Sequence, residues 1–364
     1  MPPFVPGLEL SRRFYWEAVR PILDDGFPGL LHAAAHIGPG SDVLGFDTKM
    51  STDHGWGPSV TLFLRPDEIN RANAISDFLG RRLPHVFCGY PVDAEPIADE
   101  PGVFVMALRS EGPVRHRVAI VTLREYILEQ LRYDISLPLS PPEWLCLPSQ
   151  SLRALTTGAA HHDGLAELTA LRARLAWYPR DVWFYLLASG WQRISQEEHL
   201  MPRAGFVGDE VGSALIGSRL VRDVMALCFL MERVYPPYPK WFGTAFARLT
   251  CAPDLTPILR RAQFADNWKQ REGALCQAYE YVAHMHNALG ITDPLPEQVS
   301  SFYGRPFMVI WGDRFSAALT SRITDREVQR IASKGLIGGI DQWSDSTDVR
   351  SDPVWWPIAR HFYA

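Results

Sequence analysis

The residues best suited to do chemistry are a glycine–serine turn, Gly38-Pro39-Gly40-Ser41, and an acid twelve positions further on, Asp53, at the head of Asp53-His54-Gly55-Trp56-Gly57-Pro58. Backbone N–H groups at such a turn form a concave nest for phosphate oxygens, and a serine hydroxyl adds a donor. A carboxylate on the next strand can hold Mg²⁺, which bridges phosphate oxygens in phosphoryl or nucleotidyl transfer. Two acids share one face of a strand only at positions i and i+2. Here that second position is Gly55, while His54 points the other way. The next strand-like run, Arg115-His116-Arg117-Val118-Ala119-Ile120-Val121, contains no acid. The pattern therefore predicts Gly40 and Ser41 as phosphate contacts and Asp53 as a metal ligand, with the carboxylate set incomplete. The bland alternative is an ordinary turn and a strand-start cap.

A second polar concentration lies beyond residue 190. In Trp191-Gln192-Arg193-Ile194-Ser195-Gln196-Glu197-Glu198, Arg193 and Glu197 stand one helical turn apart. Further on, Arg219, Arg222 and Asp223 interrupt an apolar stripe of Val211, Leu215, Val224, Leu227 and Met231. Surface ion pairs at i,i+4 explain these at a few tenths of a kcal/mol each, roughly. The alternative to that first account is arginines lining a phosphate-binding cleft, because the guanidinium matches oxyanions bidentately. Glu197 and Glu210 are candidate general bases for an acceptor hydroxyl. Lys240 follows Pro236-Pro237-Tyr238-Pro239, which would hold it rigidly before a helix; it is one of only four lysines. It is a candidate phosphate contact, or a side chain whose stem packs on Trp241.

A strand, a Gly-Ser turn and a following acid is the arrangement of polymerase-β-type nucleotidyltransferases. Several segments together resemble an uncharacterised bacterial family of nucleotidyltransferase-like proteins: Gly40 to Asp47, Ser51 to Pro58, Tyr178-Pro179-Arg180-Asp181-Val182-Trp183, Gln196-Glu197-Glu198, Gly208 to Ser213, and Asp341 to Asp348. The resemblance runs over most of the chain. It implies binding of a nucleoside triphosphate with Mg²⁺ and nucleotidyl transfer to a small-molecule acceptor. It also implies a helical domain bringing Lys240 to the phosphates, as aminoglycoside nucleotidyltransferases do. The position of Gly55 is variable and often acidic in that family, so glycine here leaves open a catalytically degenerate or repurposed binding protein.

The elements that must position these groups divide in two. Residues 8–35 read as helix broken at Pro28-Gly29, 36–42 and 53–64 as strands, 67–83 as helix, 103–108 and 115–123 as strands, and 123–132 as helix. After Pro138, Pro141 and Pro142 the chain reads as mostly helical: 150–175, 180–200, 209–234, 240–250, 255–290, 313–322 and 325–334. The expected fold class is α+β: a nucleotidyltransferase-like mixed sheet with helices over 1–145, then a helical domain over 146–364. The 364 residues are 47% hydrophobic, enough for a sizeable core. With 36 basic against 41 acidic residues, net −5, there is no basic field for nucleic acid or an anionic membrane. Five scattered cysteines without a CxxC fit free thiols. No signal-peptide pattern and no apolar run near the roughly 20 residues of a membrane span is visible, so a cytoplasmic location is expected. His284 and His286 cannot share a helical face, and Asp341, Asp345 and Asp348 lack calcium-loop spacing.

Overall fold

The computed structural model describes residues 3–52, 54–97, 104–134 and 136–364. Asp53 lies outside the described residues. The chain forms two compact units. One comprises Met1–Pro138 with Gln150–Ala176, the other Leu139–Ser149 with Trp177–Ala364. A single division at 145 does not describe this, because the segment after the proline cluster returns to the first unit and supplies a strand to its sheet.

The first unit is built on a four-stranded mixed sheet of β1 (His32–His36), β2 (Ser59–Leu64), β3 (Arg117–Thr122) and β4 (Ala159–Asp163), in the order β3-β2-β1-β4. β2 and β3 run parallel, while β1 is antiparallel to both its neighbours. Alternation decides the faces. Ala34, Val60, Leu62, Leu64 and Val118 point to one side, where they bury against Leu10, Phe14, Val19 and Leu23 of the N-terminal helix and Ile75 and Leu79 of the helix Ala72–Arg82. The N-terminal helix starts at Gly7, passes through a π turn at Tyr15–Val19 and ends at Gly26.

Three expectations change here. The run 8–35 is not all helix, since His32–His36 is the fully buried β1. Alanines favour helix locally, but pairing on both edges overrides that preference. The strand expected from residue 53 begins only at Ser59. Gly55 (φ +62°) and Gly57 (φ +144°) precede it in left-handed conformations that no strand contains. The helix expected over 150–175 is two short helices, Ser149–Thr156 and Glu167–Arg174, separated by β4.

The second unit is helical. Its main elements are α1 (Arg180–Glu197), α2 (Glu210–Met231), α3 (Pro239–Phe246), α4 (Ala252–Gln263), α5 (Trp268–Ala288), α6 (Gly312–Ser321) and α7 (Arg326–Lys334). Asp209 caps α2, accepting from the Gly212 N–H at 2.8 Å, and Asn267 caps α5 in the same way. The expected 255–290 helix breaks between α4 and α5 at this second cap. Trp191 of α1 stacks on Phe315 of α6 with centroids 4.1 Å apart. Gly312 permits that approach, because a Cβ there would meet the Trp191 carbonyl oxygen at 2.6 Å. The α+β class with a helical C-terminal region is therefore observed. No described helix is long and apolar enough to cross a membrane, and the five cysteines form no disulfide among the described residues.

Candidate functional site

The Gly-Ser turn does follow a strand directly. It leaves β1 at His36 and curls over 41–45, with Phe46 N–H donating to the Ser41 carbonyl at 2.8 Å. An acid of the chain itself fills the concave side. Asp42 is buried, its Oδ2 lies 2.6 Å from His36 Nε2, and its Oδ1 sits 2.1 Å from where a Cβ on Gly40 would be. Burial alone would raise the Asp42 pKa. His36 and the Val43 N–H outweigh it and hold the carboxyl below its ordinary range. Asp47, the next acid, accepts from Gly7 N–H at 2.7 Å and from Trp56 Nε1 at 3.1 Å. Nearby, Arg117 feels the charge of Asp42, and its buried Nη1 makes no hydrogen bond. Among the described residues no group of three or more metal-ligating side chains occurs. The described acids beside the turn are thus committed to protein partners and do not by themselves assemble a Mg²⁺ site.

In the helical unit the expected ion pairs within helices are replaced by pairs between them. Arg193 of α1 donates through Nε to Asp223 of α2 at 3.2 Å and through Nη1 to the Gln342 carbonyl at 2.6 Å. Arg222 reaches Asp345 at 2.6 Å and lies 3.6 Å from Asp223. Arg219 pairs with Glu197. Burial raises the Glu197 pKa, and its Oε2 is enclosed without a hydrogen bond. Glu210 is far from all of these. It caps the start of α5, accepting from Trp268 N–H at 3.1 Å, with Arg271 at 3.4 Å. It precedes Arg222 by twelve residues on α2, about 18 Å along the axis. Lys240 is exposed, with Nζ 4.9 Å from the centre of the Trp241 ring.

Of the polar residues singled out in α1 and α2, Arg193, Arg222 and Asp223 line the cavity that the lattice borders, while Glu197, Glu210 and Arg219 do not, nor does Lys240. This cavity holds about 400 Å³ and has a mostly apolar wall that includes Trp144, Tyr178, Leu227, Leu230, Phe242 and Ile340. Its polar rim comprises Arg193, Arg222, Asp223, Asp341, Gln342, Asp345 and Arg350. Asp341, the second residue of the short helix Ile340–Trp343, accepts from Ser149 N–H at 2.7 Å through Oδ2. Burial raises its pKa; the Ser149 N–H and the Arg350 charge oppose that.

Residues 144–242 match a family model described as a domain of unknown function (DUF4037). No curated protein and no solved structure matches the chain. The DUF4037 segment contributes the cavity wall from Trp144 to Phe242, and Gly339–Asp345 with Arg350 closes it. Two segments singled out in the sequence, one beginning at Tyr178 and one at Asp341, meet at this wall. Sequence reasoning marked both. Turn caps are the first reading of Asp341, Asp345 and Asp348 and reaching the cleft the second, because nothing in the spacing shows which cavity a distant acid faces.

Proposed function

We propose that the DUF4037 cavity binds a small-molecule acceptor and that the protein is a nucleotidyltransferase-type enzyme acting on it with a Mg²⁺-bound nucleoside triphosphate. The supporting observation for the acceptor is the cavity itself: about 400 Å³, apolar along its wall, with Asp341 on its polar rim held by Ser149 alone. A cavity of this size with few, converging polar groups suits a small ligand. The transfer reading rests on the sequence resemblance and on the Gly40–Ser41 turn following β1. In that reaction the acceptor oxygen attacks the α-phosphorus. The bond from that phosphorus to the bridging oxygen breaks and pyrophosphate leaves. The acceptor proton passes to Asp341, whose raised pKa suits it to take one. Mg²⁺ would enter with the triphosphate and would neutralise its charge.

A second reading has specific support. Asp42 folded over Gly40 and the pairing of Glu197 and Glu210 elsewhere favour a binding protein that performs no transfer. Pyrophosphate release with ATP, CTP, GTP and UTP in turn, using Mg²⁺ and a small-molecule cell extract as acceptor source, separates the two. Transfer predicts release that depends on the extract and falls at least tenfold in Asp341→Asn. No release and no nucleotide binding by calorimetry would leave the binding protein.

A further inference from the structure

The polar groups of the DUF4037 cavity divide into those already engaged and those left over. Arg193 and Arg222 are held by Asp223, Asp345 and the Gln342 carbonyl. Both ends of the Gln342 amide are engaged within the protein, its Nε2 donating to the Leu186 carbonyl at 3.0 Å and its Oε1 accepting from Gly339 N–H at 3.0 Å. Ser149 donates its hydroxyl to the Pro236 carbonyl at 2.9 Å. Three lining groups remain. Among the described residues the Arg350 guanidinium and the Tyr178 hydroxyl enter no hydrogen bond or ion pair, and Asp341 is held by Ser149 alone. Arg350 and Tyr178 both lie close enough to Asp341 to interact with it electrostatically.

A fixed lattice beside two unpartnered groups and a lightly held carboxylate is the pattern of a built ligand site, since the lattice holds the wall in place before anything binds. This set carries one positive charge, one negative charge and one hydroxyl. Its complement is a molecule with an anionic group beside a hydrogen-bond donor, on an apolar body. We propose that the cavity takes such an amphiphilic anion, with phosphate or carboxylate against Arg350, a hydroxyl or ammonium against Asp341 and Tyr178, and the apolar body along Trp144, Leu227 and Phe242. This deepens the acceptor reading above and rests on it only in taking the cavity as a ligand site.

Calorimetry with two matched pairs tests it: AMP against adenosine, and L-tryptophan against tryptamine. Within each pair the second member lacks the anion, and the two pairs distinguish phosphate from carboxylate. At least one anion is expected to bind tenfold or more tightly than its partner, and Arg350→Ala should erase that ratio. Asp341→Asn should weaken both members of the binding pair. Arg350→Lys should keep part of the preference and controls for folding, together with unchanged melting temperatures. If neither anion binds at millimolar concentration, or if the preference survives Arg350→Ala, the inference is wrong. Binding as expected without pyrophosphate release removes the transfer reading alone. Pyrophosphate release that falls in Asp341→Asn but is insensitive to Arg350→Ala removes this inference alone.

Discussion

Asp223 is the keystone of the helical unit's polar lattice, and removing its carboxylate should cost far more than removing any exposed acid nearby. Its side chain is 7% exposed and faces Arg193 at 3.2 Å and Arg222 at 3.6 Å, whose side chains are 23% and 39% exposed. Breaking a fully buried pair costs about 3–5 kcal/mol because the remaining charge stays desolvated, whereas an exposed pair is worth about 0–1 kcal/mol. Arg193 keeps its bond to the Gln342 carbonyl and Arg222 keeps Asp345, so Asp223→Ala should fall between these limits, at about 2–3 kcal/mol. For a domain of 150–250 residues each kcal/mol moves the melting temperature by about 2–4 °C, so a fall of about 5–10 °C is expected. Asp345→Ala is the internal control. Its side chain is 73% exposed, and the change should stay below about 0.5 kcal/mol. Urea unfolding monitored by circular dichroism gives both values. A double-mutant cycle with Arg193→Met should return a coupling of about 1–2 kcal/mol. Equal effects of Asp223→Ala and Asp345→Ala, or a coupling near zero, would show that the lattice is a surface feature with no role in fixing the cavity wall.

Two further expectations concern other parts of the chain. Burial pushes the Glu198 carboxyl up to about 7 from an ordinary 4.5, against the backbone N–H groups of Ile310, Gly312 and Trp311. The folded state therefore holds this proton more tightly than the unfolded chain. Its contribution is full below pH 4.5, is lost as pH rises through 7, and amounts to about 3 kcal/mol. Urea midpoints from pH 4 to 8 should show that decline in the natural protein and not in Glu198→Gln; identical slopes would refute it. At Gly55, φ is +62° and a Cβ would meet nothing within 4 Å. Gly55→Asp should then cost only backbone strain, about 1 kcal/mol, and leave Mg²⁺ affinity within twofold. A fivefold or greater tightening in a Mg²⁺ titration would show that this position faces a metal after all.

The long helices were legible because periodicity, caps and breakers agree there: Pro179 leads into α1, Asp209 caps α2 and Gly335 follows α7. The strands were less so. Ala159-Ala160-His161-His162-Asp163 has neither alternation nor β-branched residues, and it becomes β4 only because β1 offers an antiparallel edge. Similarly, Ala33-Ala34-Ala35 reads as helix until two neighbours claim its backbone. The ion pairs failed for an energetic reason. Spacing within one helix reveals i,i+4 partners worth a few tenths of a kcal/mol, roughly, and these yield to half-buried partners on another helix. Arg193 therefore chose Asp223 over Glu197, and Arg219 chose Glu197 over Asp223.

That exchange of partners bears on the candidate site. Had Arg193 and Arg222 been left unpaired, the cavity would carry a strong positive charge and would favour any polyphosphate. With both held by acids, the committed lattice is close to neutral and contributes shape more than charge. Selectivity then falls to the few groups the lattice leaves unused. A lone guanidinium beside a lightly held carboxylate penalises two kinds of ligand: a bare anion, which meets the Asp341 charge, and a bare cation, which meets Arg350. A buried donor or acceptor left unmatched costs about 1–3 kcal/mol, so a molecule lacking either group should bind about tenfold or more weakly than one that presents both. The same two residues that admit an amphiphilic anion should thus exclude simple phosphate and simple amines, and the apolar wall alone would not.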